Sequence, residues 1–232
     1  MDKLEYYQKQ LKNKTSLEII QWCAEEFRSE KIAFATSLGI EDQVITHLQA
    51  QSEFYPRIFS LDTGRLFQEV YDCIQSTVDR YHIKIEILFP QTSQIDSLYS
   101  SYGPNPFYAS QELRKLCCDI RKVKPLRKAL DGMDAWITGQ RKQQSETRQN
   151  LGAVEWDSIH GIYKINPLYY WSEEETLNYI KAEKIPYNRL YDRGYRSLGC
   201  APCTRPIGKD DDFRSGRWWW ESKNHKECGI HL

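Results

Sequence analysis

The stretch Ile32–Asp42 reads IAFATSLGIED and sets the pattern by which the rest of the chain can be interpreted. Its first residues are apolar and suit a buried β-strand, and Ser37, Leu38 and Gly39 then form a tight polar turn. From Glu41 to Ala50, apolar residues recur at helical spacing. We therefore predict a strand, a turn and a helix in succession.

The same order of elements recurs along the chain. Further strands are predicted at Arg57–Asp62, Ile83–Leu88 and Ala135–Thr138, and further helices at Thr15–Ser29, Phe67–Tyr81 and Gln111–Leu130. Pro125 is expected to kink or restart the last of these helices. Strands that alternate with helices predict an α/β fold with a parallel, helix-flanked sheet.

Polar turns that contain glycine follow three of the predicted strands, at Ser37–Asp42, Asp62–Arg65 and Thr138–Arg141. Ligands of parallel sheets bind at the carboxyl ends of the strands, so these turns form one candidate site. Taken alone, the first turn is better explained as an ordinary strand-to-helix turn capped by Ser37. The P-loop pattern and the dinucleotide glycine fingerprint are both absent.

Composition excludes several classes of protein. The chain has 232 residues, with Lys+Arg and Asp+Glu both 32, which argues against a surface built wholly to bind nucleic acid or membrane lipid. No run of 18 apolar residues and no signal-peptide pattern occur, so we expect a soluble, cytoplasmic protein. Seven cysteines then indicate reduced thiols, metal ligands or catalysis, and no disulfide framework.

The character of the sequence changes after a capped helix start at Ser172. From about Tyr187 onward the chain is rich in Arg, Gly, Asp and Trp and has little periodicity. We predict an α/β nucleotide-binding core over residues 1–195, which carries Cys117 and Cys118. We expect residues 196–232 to form a flexible C-terminal segment.

Two pairs of cysteines point to a metal site. Cys117 and Cys118 are adjacent, and 82 positions after the second of them comes Cys200-Ala201-Pro202-Cys203. Four thiolates select an iron–sulfur cluster or zinc, and the residues alone support the two equally. Neighbours on a helix diverge by about 100°, so one metal centre can use both Cys117 and Cys118 only if the helix is distorted. A cluster with several irons relaxes that demand.

Three further cysteines stand outside these pairs. Cys228 lies near the end of the chain, where Lys226, His225 and His231 would favour its reactive thiolate, so we predict a nucleophile. Cys23 and Cys73 lie on apolar helical patterns and are predicted to belong to the core.

Three motifs, Leu116–Leu126, Gly194–Thr204 and Lys226–His231, together resemble the assimilatory adenylylsulfate (APS) reductases, the iron–sulfur branch of the sulfonucleotide reductase family. The resemblance extends from about Phe34 to His231. It implies a PP-loop fold of the adenine-nucleotide alpha-hydrolase-like type and a [4Fe-4S] cluster on Cys117, Cys118, Cys200 and Cys203. The chain departs from the family at Lys142, where the family usually has arginine, and in its last residues, where Ile230 replaces leucine and Leu232 is added.

The resemblance also implies the site. Cys228 would be the catalytic nucleophile, Lys122 would lie between cluster and substrate, and arginines would meet the phosphosulfate. The implied substrate-binding residues are Thr36, Ser37, Leu38, Gly39, Glu41, Asp42, Leu61, Asp62, Thr63, Gly64, Lys122, Gly139, Arg141, Arg214, Arg217 and His231.

The implied reaction belongs to assimilatory sulfate reduction and cysteine biosynthesis. The Cys228 thiolate would attack the sulfur of adenylylsulfate, AMP would leave, and thioredoxin or a similar dithiol would release sulfite from the S-sulfocysteine. The cluster would serve electrostatics and architecture. Two alternatives stay open: a reductase that also accepts phosphoadenylylsulfate (PAPS), and a redox sensor that binds a cluster or zinc. The sequence leaves open whether the chain forms a homo-oligomer.

Overall fold

The structure, a computed structural model, describes residues 2–144, 148–208 and 211–221. Its strands are β1 (Ile32–Ala35), β2 (Arg57–Leu61), β3 (Glu86–Leu88), β4 (Ala135–Ile137), β5 (Val154–Asp157) and β6 (Ile162–Ile165). Its helices are α1 (Lys3–Leu11), α2 (Ser16–Glu26), α3 (Ile40–Gln51), α4 (Gln68–Tyr81), α5 (Thr92–Tyr102), α6 (Gln111–Cys118), α7 (Lys124–Leu130) and α8 (Glu173–Ala182).

The strands form one six-stranded sheet in the order β3-β2-β1-β4-β6-β5. β1 pairs in parallel with β2 and β4, and β4 pairs in parallel with β6. The edge strand β5 pairs with β6 in the antiparallel direction. The predicted α/β fold with a mostly parallel sheet is therefore confirmed.

The chain divides into two compact units whose segments alternate. The first comprises Met1–Ser60, Glu69–Glu86 and Gly132–Arg189, and the second comprises Leu61–Gln68, Ile87–Asp131 and Leu190–Leu232. The chain passes from one unit to the other near the ends of β2 and β3. The division predicted between residues 195 and 196 stays a prediction.

The core of the first unit is built from the apolar strands. Ile32, Ala33 and Phe34 of β1 have no exposed surface, as expected for a strand covered on both faces. Cys23 on α2 and Cys73 on α4 are also buried, so their prediction as core residues is confirmed. Burial raises the pKa of the Cys73 thiol to about 12, which keeps it protonated and unreactive.

The predicted helix Gln111–Leu130 keeps helical backbone throughout but changes type in its middle. Between α6 and α7 the segment Asp119–Val123 is a π-helix, and the Lys124 N–H donates to the Asp119 carbonyl five residues earlier. Pro125 has no N–H to continue α-helical bonding, and the wider π turn accommodates it without a break. The distortion required for two adjacent cysteine ligands is thus present directly after Cys118.

Several elements differ from the sequence prediction. α1, α5 and the β5–β6 hairpin were not predicted, because their mixed polar and aromatic residues give weak periodicity over short lengths. β3 begins at Glu86 and not at Ile83. Within the described part of the chain, no helix combines the length and apolarity needed to cross a membrane.

The predicted capped start at Ser172 is confirmed as a capping box at the beginning of α8. The Ser172 hydroxyl accepts from the Glu175 N–H at 3.0 Å, and the Glu175 carboxylate accepts from the Ser172 N–H at 2.6 Å. Two otherwise unpaired N–H groups are satisfied in this way.

Replacing Ser172 by alanine should therefore lower the free energy of unfolding by about 1 kcal/mol. Urea denaturation of the variant and the parent measures the difference. Ser97→Ala, an exposed change inside α5, serves as the control and should shift stability by less than about 0.5 kcal/mol. Equal losses in both variants would contradict the role of the cap.

Candidate functional site

The turn after β1 is held by hydrogen bonds within itself. Asp42 Oδ2 accepts from the Ser37 backbone N–H at 2.6 Å and from the Ser37 hydroxyl at 2.7 Å. Leu38 is buried with φ of 58°, and its N–H donates to Thr36 Oγ1 at 3.1 Å. A bulky residue in the left-handed region costs on the order of 1 kcal/mol, and such strain is common at functional sites.

Asp42 carries an unusual carboxyl group. Burial raises its pKa to about 6, with a further upward contribution from Glu41, while the hydrogen bonds from Ser37 oppose the rise. Asp42 is therefore a carboxyl group that changes its charge near neutral pH, in the first turn of α3.

Gly139, at the exit of β4, approaches this turn closely. A Cβ atom at Gly139 would lie 2.4 Å from Asp42 Oδ1 and 2.9 Å from Glu41 Cβ. Because no side chain fits there, glycine is required for the exits of β1 and β4 to meet. The predicted site residues of the first unit are thus brought together.

Arg141 and Glu41 form a buried ion pair that links the same two exits. Arg141 Nε lies 2.8 Å from Glu41 Oε1, and Nη2 lies 2.7 Å from the same oxygen. Gln144 Nε2 also donates to that oxygen, at 3.0 Å. Sequence reasoning missed Gln144, which follows Arg141 at three residues' spacing in a short 3-10 turn, Lys142–Gln144.

The second unit contains the cysteines. Cys117, Cys118, Cys200 and Cys203 all line one pocket, together with Phe107, Arg114, Arg121, Lys122 and Trp218. All four cysteines are buried. The structure therefore brings together the two pairs that lie 82 positions apart in the sequence.

Short backbone contacts position the second pair of cysteines. Ala201–Cys203 is a 3-10 turn in which the Cys203 N–H donates to the Cys200 carbonyl at 2.9 Å. Thr204 forms a β-bridge with Arg217, and the Trp218 N–H donates to the Cys203 carbonyl at 3.2 Å. The segment around Trp218 is thereby held against the pocket, with Trp218 itself in the left-handed region at φ of 43°.

The turn Asp62–Arg65 contacts the same pocket. The Cys200 thiol donates to Thr63 Oγ1 at 3.3 Å, and the Ala201 N–H donates to the Arg65 carbonyl at 2.8 Å. Arg121, a residue that sequence reasoning did not select, donates to the Thr63 carbonyl. Its neighbour Lys122 was predicted and lines the pocket.

The thiols differ in their electrostatic surroundings. Burial would raise the pKa of Cys200, but Lys122, the Thr63 hydrogen bond, Arg217 and Arg121 together lower it below its usual range. Burial raises the pKa of Cys203 to about 12, and it also raises that of Cys117. The surrounding cations thus favour ionisation of Cys200, in contrast to Cys117 and Cys203.

Arg217 is held by the backbone that precedes Cys200. Its Nη1 donates to the Leu198 carbonyl at 2.8 Å, and its guanidinium lies 4.8 Å from the centre of the Trp218 ring. A Cβ at Gly199 would lie 2.2 Å from Arg217 Nη2, so a side chain there would displace this guanidinium from its present position. Arg214 also faces Trp218, at 5.9 Å.

Two predicted site residues, Cys228 and His231, lie outside the described residues. Within residues 2–144, 148–208 and 211–221, no group of three or more His, Cys, Asp or Glu side chains is arranged so that it could hold a metal ion. The assignment of substrate and metal residues stays a prediction.

The raised pKa of Asp42 makes stability depend on pH. Because its folded-state pKa of about 6 exceeds the ordinary 3.8, the folded protein binds an extra proton between these values. The contribution of Asp42 to the free energy of unfolding should fall by about 2 kcal/mol as pH rises from 4 to 7. Asp42→Asn, which cannot ionise, should therefore become more stable relative to the parent over this range.

Urea denaturation at a series of pH values measures that difference, with the exposed Asp96→Asn as the control. Stability curves that stay parallel for Asp42→Asn and the parent would contradict the raised pKa.

Comparisons with known proteins identify the family. Residues 31–206 match the family model described as phosphoadenosine phosphosulfate reductase domain. The chain is 48% identical over 202 residues to adenosine 5'-phosphosulfate reductase of Allochromatium vinosum, covering 87% of this chain and 79% of that protein. It is also 48% identical over 205 residues to the protein of that name from Burkholderia cepacia, covering 88% and 82%.

Two solved structures are similar to this chain in fold. A phosphoadenylyl-sulfate (PAPS) reductase of Candida auris, solved as a phosphate complex, has a TM-score of 0.76 at 25% identity, covering 87% of this chain and 96% of that one. An FMN adenylyltransferase of Candida glabrata has a TM-score of 0.56 at 14% identity, covering 84% and 68%, and shows the fold alone. The fold type and the family resemblance predicted from the sequence are confirmed, and the chain belongs to the phosphoadenosine phosphosulfate reductase domain family.

Proposed function

We propose that this protein reduces adenylylsulfate to sulfite and AMP in sulfate assimilation. One observation carries the proposal: four cysteines from two distant motifs line a single buried pocket with Arg114, Arg121 and Lys122. The family's PAPS-specific branch generally lacks such cysteines, as the resemblance implies. The curated relatives named adenosine 5'-phosphosulfate reductase support the same substrate.

In the first unit, we assign contacts with the nucleotide to Thr36–Asp42, Gly139 and Arg141. Backbone N–H groups at the start of α3 can meet a phosphate, since a helix N-terminus favours negative charge. Asp42 now accepts the Ser37 hydrogen bonds. The raised pKa of Asp42 favours its protonation. Protonation would remove the negative charge of Asp42, which would otherwise repel an anionic ligand.

In the second unit, we assign the anionic part of the substrate to cations near the cysteines. Lys122 is mostly buried and lowers the pKa of Cys200, and Arg217 is fixed by the Leu198 carbonyl. Arg214 is the third cation of this group. Such groups stabilise the charge that develops on the departing phosphate, and Arg does so with a planar fork. Leu61–Gly64 complete the proposed set.

Cys228 is the proposed nucleophile. Its thiolate forms a bond to the sulfate sulfur while the bond from that sulfur to the bridging oxygen breaks, and the electron pair leaves with AMP. The enzyme then carries an S-sulfocysteine. His231 is assigned to the same step as a substrate-binding residue.

Thioredoxin or a similar dithiol is the proposed reductant. One of its thiolates attacks Cys228 Sγ, and sulfite departs with the electron pair of the S–S bond. The second thiol then displaces Cys228 from the mixed disulfide. The dithiol is thereby oxidised to a disulfide, and its two electrons account for the reduction of sulfate to sulfite.

A [4Fe-4S] cluster is the proposed occupant of the cysteine pocket, and the residues fit it. Four thiols are the donor set of such clusters, and the neighbouring cations compensate thiolate charge. Zinc also binds four thiolates. A centre of several irons spreads its ligands and so suits the adjacent Cys117 and Cys118 better, as the resemblance to the iron–sulfur branch also implies.

When bound, the cluster would supply a fixed charge environment and join α6 to the Cys200–Cys203 turn. No electron needs to pass through it, because the dithiol supplies both. Cys228, the cations of this chain and the dithiol together account for each step of the reaction.

Sulfite release from adenylylsulfate tests the proposal. Anaerobically purified protein with thioredoxin should release sulfite and AMP, and Cys228→Ser should abolish both by removing the nucleophile. Without a dithiol, the parent should release one AMP per chain and gain the mass of a sulfo group on Cys228, measured by mass spectrometry. Cys73→Ser, which alters a buried core thiol, serves as the control and should keep the activity.

Equal turnover of PAPS would make the enzyme a dual-specificity reductase. No sulfite from either nucleotide, in protein that retains its metal centre, would overturn the reductase proposal and favour a redox sensor.

A further inference from the structure

A single buried arginine joins α6 to the last described residues of the second unit. Arg114 has no exposed surface and lies three residues before Cys117. Its Nε lies 2.9 Å from Glu221 Oε1 and its Nη2 lies 2.8 Å from Glu221 Oε2, so the pair is bidentate. Gln111 Nε2 also donates to Glu221, at 3.5 Å.

The same guanidinium contacts the cysteine pocket. It lies 4.4 Å from the centre of the Trp218 ring and hydrogen-bonds to the Cys118 thiol. Arg114 therefore touches a cysteine of the pocket, the aromatic wall of the pocket and the carboxylate of Glu221. A buried guanidinium that serves three partners has little freedom to move.

The role of the Arg114–Glu221 pair is better explained by the geometry that it fixes than by the stability that it contributes. Removing two charges from water costs about as much as their attraction returns, so buried ion pairs contribute little net stability. A bidentate pair does fix geometry. Here it fixes the guanidinium against Cys118 at one end and the backbone at residue 221 at the other.

Glu221 is important because the segment that carries Cys228 begins directly after it. Cys228 comes seven residues later, and seven residues span at most about 25 Å. Holding Glu221 beside the cysteine pocket therefore limits where the Cys228 thiol can reach.

We propose that Arg114 and Glu221 form a latch that couples the cysteine pocket to the segment carrying Cys228. Arg114 and Glu221 are positioning residues. Arg114 orients Cys118, a proposed cluster ligand, and Glu221 fixes the point at which the segment carrying Cys228 begins. The inference rests on the proposed function for the roles of the cluster and Cys228. Because coupling is reciprocal, a loosened latch also loosens the bound cluster.

Iron release tests the latch without reference to turnover. In anaerobic protein, transfer of iron to a ferrous chelator should be about tenfold faster in Glu221→Gln than in the parent, although Glu221 is not a proposed ligand of the cluster. A tenfold change is the size typical of lost outer-sphere support in metal sites. Glu86→Gln breaks a similar bidentate pair with Arg57 in the first unit and should leave iron release unchanged.

A double-mutant cycle separates the latch from general destabilisation. If Glu221 acts through Arg114, Glu221→Gln should have little added effect on iron release in an Arg114→Gln background. The double variant removes both charges of the pair and so leaves no unpaired buried charge. Additive effects of the two substitutions would overturn the proposal. So would a rate for Glu221→Gln equal to that of the parent.

Two further readouts complete the test. AMP release in the first turnover, without a dithiol, should slow in Glu221→Gln, since the start of the segment carrying Cys228 is no longer fixed. Trypsin cleavage after Arg214 and Arg217 should be faster in that variant, and unchanged cleavage would overturn the latch even in protein that holds no iron. Failure of the proposed function would appear separately, as a parent protein without iron or without AMP release.

Discussion

The second unit depends on bringing four buried thiols to one place. Cys117 and Cys118 are neighbours at the end of a helix, and the π turn Asp119–Val123 comes directly after them. The other pair is set by a 3-10 turn, by Gly199, which leaves room for Arg217, and by Trp218 in a left-handed conformation. Each of these local departures from regular structure occurs beside the pocket, as strain at a functional site would.

In the first unit, the turns after the strands contain buried carboxylates, which must be paired or hydrogen-bonded. Glu41 is paired with Arg141, and Asp42 accepts the donors of Ser37. Gly139 allows the two exits to approach. The turns are thus preorganised by their own hydrogen bonds, in which the two carboxylates accept from donors that the proposed nucleotide would also use.

The elements whose periodicity is strong were predictable from the sequence, and so were the cysteine motifs. β1, α3 and the start of α8 follow apolar spacing and capping residues, which act locally. Arg121, Gln144 and the Arg114–Glu221 pair could not be found in this way, because their roles come from contacts between residues far apart in the chain. The role of Gly199 could not be found from the sequence either, because it depends on contact with the Arg217 side chain.

The account of the second unit assigns an iron–sulfur cluster to the cysteine pocket, and elemental analysis of anaerobically purified protein can detect that cluster. Iron, zinc and acid-labile sulfide per chain should be measured for the parent and for Cys200→Ser. We expect about four irons and four sulfides per chain in the parent and a marked loss of both in the variant. About one zinc per chain, with neither iron nor sulfide, would contradict the cluster assignment.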